Sequence, residues 1–131
     1  MFKVRISPHW EIRRAESAAR GFLLTQGAEF RREHDAAVAN IVPYATKLAQ
    51  LIGDNPAQAD NMKKLSAAID TRLDQFVREM EFTKQNNLAA ATALVSQAAA
   101  GGTGAIIREI GAAMRQEEER SEEHTSELQS H

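Results

Sequence analysis

Apolar residues recur at spacings of three and four along most of this chain, which predicts amphipathic α-helices. The pattern predicts helices over about residues 9–25, 28–52, 56–84, 88–99 and 105–119. The row of apolar residues along one face of a helix, here called the seam, is clearest in the second predicted helix. There the spacing between successive apolar or semi-apolar residues alternates between four and three, as in a coiled coil. The residues of this seam are Phe30, His34, Ala37, Ile41, Tyr44, Leu48 and Leu51. Because alanine is abundant and no Asn-Gly or Asp-Gly hairpin turn occurs, we predict an all-α fold.

Turn and cap residues place the ends of the two long helices. Gly53 is predicted to end the second helix. Asn55 is predicted to cap the third helix, with Pro56 in its first position and Gln58 reaching back in a capping box. Pro43 lies inside the second helix and removes one backbone hydrogen bond. Because the apolar seam continues beyond this proline, we predict a kink there and not an end.

The predicted architecture is an antiparallel up-down-up-down four-helix bundle. At the rise of an α-helix, the second helix spans roughly 36 Å and the third roughly 43 Å, whereas the first and last reach only about 25 Å each. Both short helices would be truncated at the same end of the bundle. We therefore expect Leu51, Ile52 and Leu65 to be poorly covered, and we interpret the chain as a piece of a longer rod.

The last twelve residues of the chain are not included in the predicted domain. Residues 120–131 resemble the in-frame translation of a common sequencing adapter and do not read as natural protein. We therefore expect a natural domain over residues 9–119, preceded by residues 1–8, to which we assign no element. Without residues 120–131, which hold one Arg and three Glu, Lys+Arg falls from 16 to 15 and Asp+Glu from 18 to 15. The remaining chain is formally neutral.

Composition excludes several classes of function. A neutral chain lacks the basic excess of a nucleic-acid-binding protein. The chain has no cysteine, so it has neither disulfides nor thiolate metal ligands. No run approaches the ~20 apolar residues of a membrane span. His9 and His34 fall on separate helices, and no metal, cofactor or nucleophile motif occurs, so we expect no metal, no cofactor, no catalytic residue and no enzymatic activity of the chain itself.

The first predicted helix carries a charged pair beside its apolar face. Glu16 and Arg20 are four residues apart in the order that favours an ion pair. One interpretation is that the pair fixes the turn at the end of this helix, with Arg20 bonding backbone carbonyls. The other is that Arg20 faces a cavity and meets an anionic ligand.

Two further predictions concern the helix faces. His34 lies on the seam near one end of the bundle, where a partly buried structural role and a sensing role both stay open. The aromatic residues Phe22, Phe30, Tyr44 and Phe76 have helical spacing and are predicted to be core. Truncation of each to alanine should cost about 3–5 kcal/mol if it is buried.

A short motif closes the first helix and carries a family resemblance. Its residues are Glu16 followed by Arg20, Gly21, Phe22, Leu23, Leu24 and Thr25. Pro43 within a heptad helix, the turn at residues 54–58 and the alanine-rich segment at 88–95 support it. Over about residues 12–119 the chain resembles the third type of CHASE domain. In that family the motif usually continues as Thr-Gly-Asp, whereas here Gln26 and Gly27 follow Thr25.

The resemblance implies a function. Such domains are similar to four-helix bundles hung between two transmembrane helices, on the periplasmic or extracellular side of bacterial receptors. These receptors are histidine kinases, nucleotide or diguanylate cyclases and chemoreceptors. The resemblance therefore implies truncation at the membrane-proximal end, a small-molecule or protein stimulus, and a homodimer in the intact receptor. The alternative from another class is a soluble helical adaptor that binds a protein partner; hydrophobic runs beyond both ends of the domain would favour the receptor, and polar flanks the adaptor.

Overall fold

The computed structural model describes residues 8–99 and 102–129 of the chain. These residues form five α-helices and contain no strand. The helices are α1 (Pro8–Thr25), α2 (Ala28–Ile52), α3 (Ala57–Lys84), α4 (Leu88–Ala99) and α5 (Thr103–Gln129). The all-α prediction is confirmed. The predicted bounds of the second and fourth helices are also those observed.

Two sets of helices pack together. α1 packs extensively against α2, and α3 packs against α4 and α5, while α1 also contacts α3, α4 and α5. Alanine makes the first contact close, because Ala15 and Ala37 are fully buried between α1 and α2. Apolar side chains from α1, α2, α3 and α5 meet in one core, each large one contributing about 1.5–3 kcal/mol by its burial. The larger members are Ile12, Ile41, Leu48, Ile52, Leu65, Ile69, Phe76, Ile107, Ile110 and Met114.

The turn before α3 follows part of the prediction. The Asn55 side-chain oxygen accepts a hydrogen bond of 3.0 Å from the backbone N–H of Ala57, and Pro56 has helical dihedrals of −58° and −28°. The predicted capping box is wrong. Gln58 is 1% exposed, and its amide nitrogen donates instead to the Met114 carbonyl of α5 at 2.9 Å. A buried amide finds a stronger partner in the facing helix than in its own first turn.

α2 continues through Pro43 and ends at Ile52, as predicted. Gly53, which follows, has a right-handed φ of −63°, so the end of α2 does not depend on a left-handed glycine.

The prediction of a short last helix is wrong. α5 continues to Gln129 and has 27 residues, against 28 in α3, whereas α1 has 18. The added residues include helix formers such as Glu and Gln, and Arg120 forms an ion pair of 2.6 Å with Glu117 in the preceding turn. The origin of residues 120–131 in adapter sequence stays a prediction. Residues 1–7, part of the unassigned N-terminal segment, lie outside the described residues, as do residues 130 and 131.

The expected exposure at this end of the molecule is also largely wrong. Ile52 and Leu65 are buried, at 5% and 0% exposure, and only Leu51, at 73%, is uncovered as predicted. Hydrogen bonds from Asn55 to Glu117 and from Gln58 to Glu118 hold α5 against the start of α3 here. Within the described part of the chain, no helix is both long enough and apolar enough to cross a bilayer.

Candidate ligand-binding site

A charged residue occupies a core position on α3. Arg72 is 2% exposed and follows Ile69 and precedes Phe76 at spacings of three and four, in register with the apolar seam. Its Nη1 donates to Glu79 on the same helix at 3.1 Å, and its Nη2 donates to Glu16 on α1 at 3.2 Å. We name Arg72, Glu79 and Glu16 the Arg72 cluster. Through it, a buried cation joins α1 to α3.

Two atoms of the Arg72 cluster lack partners. The Nε of Arg72 and the Oε2 of Glu79 are buried and accept or donate no hydrogen bond. Each buried polar atom left in this way costs about 1–3 kcal/mol. Burial raises the pKa of Glu79, and the neighbouring Arg72 guanidinium acts in the opposite direction. The Arg72 cluster therefore keeps one free donor and one free acceptor inside the protein.

Phe76 separates the Arg72 cluster from the second predicted candidate, His34. The Phe76 ring is 1% exposed, and the Arg72 guanidinium lies over it at 4.0 Å from the centroid. The His34 ring meets the Phe76 ring edge-on, with the centroids 5.1 Å apart and the planes at 81°. Such cation–π and edge contacts fix the positions of both polar side chains.

His34 is buried, and one of its ring nitrogens has a hydrogen-bond partner. It is 2% exposed, and its Nδ1 lies 3.0 Å from the Ala15 carbonyl of α1. Because that carbonyl only accepts, Nδ1 carries the proton in this contact. Burial lowers the pKa of His34, with the Ala15 bond acting in the opposite direction, so the ring is neutral at pH 7. This contact ties α2 to α1, and the sensing role of His34 stays a prediction.

A cavity of about 340 Å³ lies against the Arg72 cluster. Besides the cluster, its lining includes Arg13 and Arg20 of α1, Val95 of α4 and Arg108 of α5. Among the described residues, these three arginines form no ion pair, and all three are exposed to solvent. Four arginines therefore face two carboxylates across a partly enclosed space. Low-dielectric walls and excess positive charge favour an anion there.

The turn between α1 and α2 has a different construction. The Thr25 hydroxyl donates to the Gly21 carbonyl at 2.7 Å and accepts from the backbone N–H of Gly27 at 3.1 Å. Gln26 adopts a left-handed φ of 59°, and its N–H donates to the Phe22 carbonyl at 2.8 Å. A Cβ at Gly21 would overlap the ring of Phe30. The turn is thus closed by Thr25 and needs a small residue at position 21.

A profile of the CHASE3 domain matches residues 9–127. The chain belongs to the CHASE3 domain family. CHASE3 domains are extracytoplasmic sensory domains of signalling receptors, and no catalytic activity is associated with them. No curated protein and no solved structure matches the chain.

The motif that carried the resemblance divides between two places in this CHASE3 domain. Glu16 and Arg20 line the cavity, whereas Gly21 and Thr25 build the turn. Phe22 and Leu23 are half-buried, and Leu24 is 83% exposed.

The predicted ion pair between Glu16 and Arg20 is wrong, because Glu16 binds the buried Arg72 instead. The predicted bonds from Arg20 to carbonyls of the turn are also absent, since the Thr25 hydroxyl occupies that role. A buried guanidinium fixes the Glu16 carboxylate more firmly than an exposed one four residues away.

The aromatic predictions are confirmed in part. Phe76 lies in the core, and Phe22 and Tyr44 are half-buried. The prediction for Phe30 is wrong, because this residue is 40% exposed. Phe30 sits at the open end of the α1–α2 hairpin, where its ring covers Gly21 and not the central core.

Four charged lining residues of the CHASE3 cavity were not predicted from the sequence, namely Arg13, Arg72, Glu79 and Arg108. A signal for two of them exists. The buried positions of α3 include 65, 69, 72, 76, 79 and 83, a heptad seam in which Arg72 and Glu79 occupy places expected of apolar residues. A charged pair seven residues apart on an inner seam indicates a buried ion pair.

Other features of the CHASE3 domain offer less chemistry. A shallower groove of about 600 Å³ runs between α3 and α5 and is lined largely by alanine, threonine and isoleucine. The His9 ring packs on Gly111 of α5, where an added Cβ would lie 2.7 Å from Nε2. Burial, with a contribution from Arg115, lowers the pKa of His9. Within residues 8–99 and 102–129, no three His, Asp or Glu side chains are grouped to hold a metal ion.

Proposed function

We propose that this chain is the stimulus-sensing domain of a bacterial transmembrane receptor, located in the periplasm or outside the cell. The family match over residues 9–127 carries this proposal. In the intact receptor the domain is flanked by transmembrane helices and forms a homodimer. The output domain is a histidine kinase, a cyclase or a chemoreceptor module.

The finer architecture that we propose is an antiparallel four-helix bundle in which α4 serves as a short connecting helix. The packing of α1 on α2 and of α3 on α5 supports this arrangement. In it, α1 and α5 are the helices that lead toward the membrane.

The proposed mechanism is a change in helix packing. Arg72 joins α3 to α1 through Glu16, and Gln58 joins α3 to α5 through the Met114 carbonyl. A stimulus that moves the Arg72 cluster therefore acts on both outer helices through one central helix. Such a relay requires two packings that differ by only a few kcal/mol. Polar contacts between helices suit such a relay, because a charged side chain changes its hydrogen-bond partner more readily than interlocked apolar side chains repack.

The coding sequence on both sides of the domain tests the proposal. We expect apolar runs of about 20 residues on both sides of the domain. Fusions of alkaline phosphatase, which is active only after export, to the end of the domain should be active in bacteria. Fusions of a cytoplasmic reporter at the same point should be inactive. Polar flanks together with the reverse reporter pattern would contradict the receptor and favour the helical adaptor.

A further inference from the structure

We propose that the cavity beside the Arg72 cluster binds a small organic or inorganic anion carrying two or more negative charges, such as a di- or tricarboxylate or a phosphate. The inference rests on the proposed function for its biological role, since it names the chemical class of the stimulus. The binding itself follows from the geometry of the cavity.

One lining residue of the cavity holds an unused buried donor. Arg72 is 2% exposed, its two terminal nitrogens are bound to carboxylates and to Gln75, and its Nε lacks a partner. Buried donors in folded proteins are nearly always satisfied, so an unsatisfied one beside a cavity indicates an absent partner. An anionic oxygen is the acceptor that a guanidinium N–H binds most strongly.

The walls supply further unused cations. Arg13 and Arg20 reach the cavity from α1 and Arg108 reaches it from α5, and none of the three is ion-paired within the described residues. They converge from helices that are far apart in sequence. A guanidinium offers a planar fork of donors that matches carboxylate and phosphate oxygens. Three such forks favour a ligand with more than one anionic group.

The size and polarity of the cavity limit the ligand. A volume of about 340 Å³ lies at the small end of the range for small-molecule sites, which favours a small ligand. Among the described residues, Val95 is the single apolar member of the lining, so an apolar ligand gains little there. The unpartnered Oε2 of Glu79 accepts a hydrogen bond from a hydroxyl group on the same ligand.

The position of the cavity links binding to the proposed relay. The lining residues belong to α1, α3, α4 and α5, so one anion bound there contacts the helices that lead toward the membrane. Neutralising Arg13, Arg20 and Arg108 would draw α1 and α5 toward α3. The anion would thereby favour one helix packing over another by the difference in its contacts.

Calorimetric titration of the full chain tests the inference. Citrate, succinate and inorganic phosphate are added separately at constant ionic strength, with chloride as the balancing anion. We expect at least one of them to bind with a stoichiometry of one. Binding of citrate or succinate alone identifies a carboxylate ligand, and binding of phosphate alone identifies a phosphate ligand.

Variants separate a built site from diffuse charge attraction. Arg20→Ala and Arg108→Ala should each weaken binding by about tenfold or more, since each removes a charge-assisted hydrogen bond. Arg32→Ala removes the same charge from an exposed position of α2 outside the cavity and should weaken binding by less than about twofold. Circular dichroism of each variant verifies that the helices are intact.

Two results would overturn the inference. One is the absence of binding by all three probes, and the other is an equal loss of affinity in Arg32→Ala and Arg20→Ala. Neither result touches the proposed receptor function, which depends on the flanking sequence and the reporter fusions. Conversely, polar flanks would refute the receptor and leave measured binding to the cavity intact.

Discussion

Two buried polar clusters lie on the same helix and differ in how fully they are satisfied. Near the start of α3, Gln58 uses both amide hydrogens, donating to the Met114 carbonyl at 2.9 Å and to Glu118 at 3.0 Å. Its oxygen accepts from Asn61 at 3.0 Å. In the second half of α3, the Arg72 cluster leaves one donor and one acceptor unused. We name Gln58 with these three partners the Gln58 cluster.

The difference separates a structural contact from a candidate site. The Gln58 cluster is neutral at its centre and complete, as expected of a cross-link between α3 and α5. The Arg72 cluster is charged and incomplete, and its three residues line a cavity together with arginines that form no ion pair among the described residues. Burial alone therefore does not mark a candidate site; the Arg72 cluster is a candidate because unused hydrogen-bonding atoms and unpaired arginines belong to the lining of one cavity.

The largest expected effect follows from removal of the central cation. Arg72→Met leaves the Glu79 carboxylate buried without its partner, which should cost about 3–5 kcal/mol of unfolding free energy at pH 7. Urea unfolding followed by circular dichroism measures this loss.

A double variant serves as the control for the Arg72 cluster. Replacing both members, as Arg72→Met with Glu79→Met, removes the stranded charge and should restore stability to within about 1 kcal/mol of the parent, because apolar side chains of similar volume often replace a buried ion pair without loss. A double variant as unstable as the single one would show that the pair is needed for packing, and would contradict our account of it as a site.

A smaller effect is expected at the Gln58 cluster. Gln58→Ala removes the bonds to Met114 and Glu118 without stranding a charge, and should cost about 1–3 kcal/mol. The same urea titration applies. A loss as large as that of Arg72→Met would remove the distinction between the clusters.

The two clusters should also differ in their response to pH. Burial raises the pKa of Glu79 above its usual 4.5, so the folded state binds this proton more tightly than the unfolded state. The stabilisation from the protonated Glu79 side chain is present in full below pH 4.5 and is lost as pH rises through the raised pKa. Each unit of difference corresponds to about 1.4 kcal/mol.

Unfolding free energies between pH 4 and 8, measured at about half-unit steps, test this point. In the parent, the free energy of unfolding should contain a decrease with rising pH that comes from Glu79. This decrease should be absent in Glu79→Gln and should remain in Gln58→Ala. His34 acts in the opposite direction, since its lowered pKa makes stability fall as pH drops below 6.5, and this effect is common to all three proteins. Parallel curves for the parent and Glu79→Gln would be inconsistent with a perturbed Glu79.

The smallest expected effect lies outside both clusters, at the turn between α1 and α2. Gln26 has a left-handed φ of 59°, which costs a residue with a side chain about 1–2 kcal/mol. Gln26→Gly should therefore raise stability by about 0.5–1 kcal/mol, after the greater freedom of glycine in the unfolded chain is subtracted. Gln50→Gly, in the last turns of α2, is the matched control and should lower it. If both changes lower stability, the turn is not strained.

Sequence patterns predicted most of the helices because the evidence for them is local. The bounds of α2 follow from a heptad seam and from Gly27 and Gly53 on either side. The predicted end of α5 was wrong, because residues 120–131 were set aside as adapter sequence and their helix propensity was not considered.

The candidate site was harder to predict because it depends on contacts between distant residues. Arg20 lines a cavity, as one of its two predicted interpretations had it, but its expected partner Glu16 binds Arg72, 56 positions away along the chain. The charged residues at seam positions of α3 were visible in the sequence. Their convergence with Arg108 depends on how α1, α3 and α5 pack, which no local pattern determines.

Nuclear magnetic resonance of the ¹⁵N-labelled chain tests the central claim most directly, because the Arg72 Nε–H and the Gln58 side-chain amide both give resolvable signals. During titration with citrate, succinate or phosphate at constant ionic strength, we expect the Arg72 Nε–H signal to shift and saturate with at least one anion, and to shift by more than the Gln58 side-chain amide signals. An Arg72 signal that does not move with any of the three anions would contradict the claim.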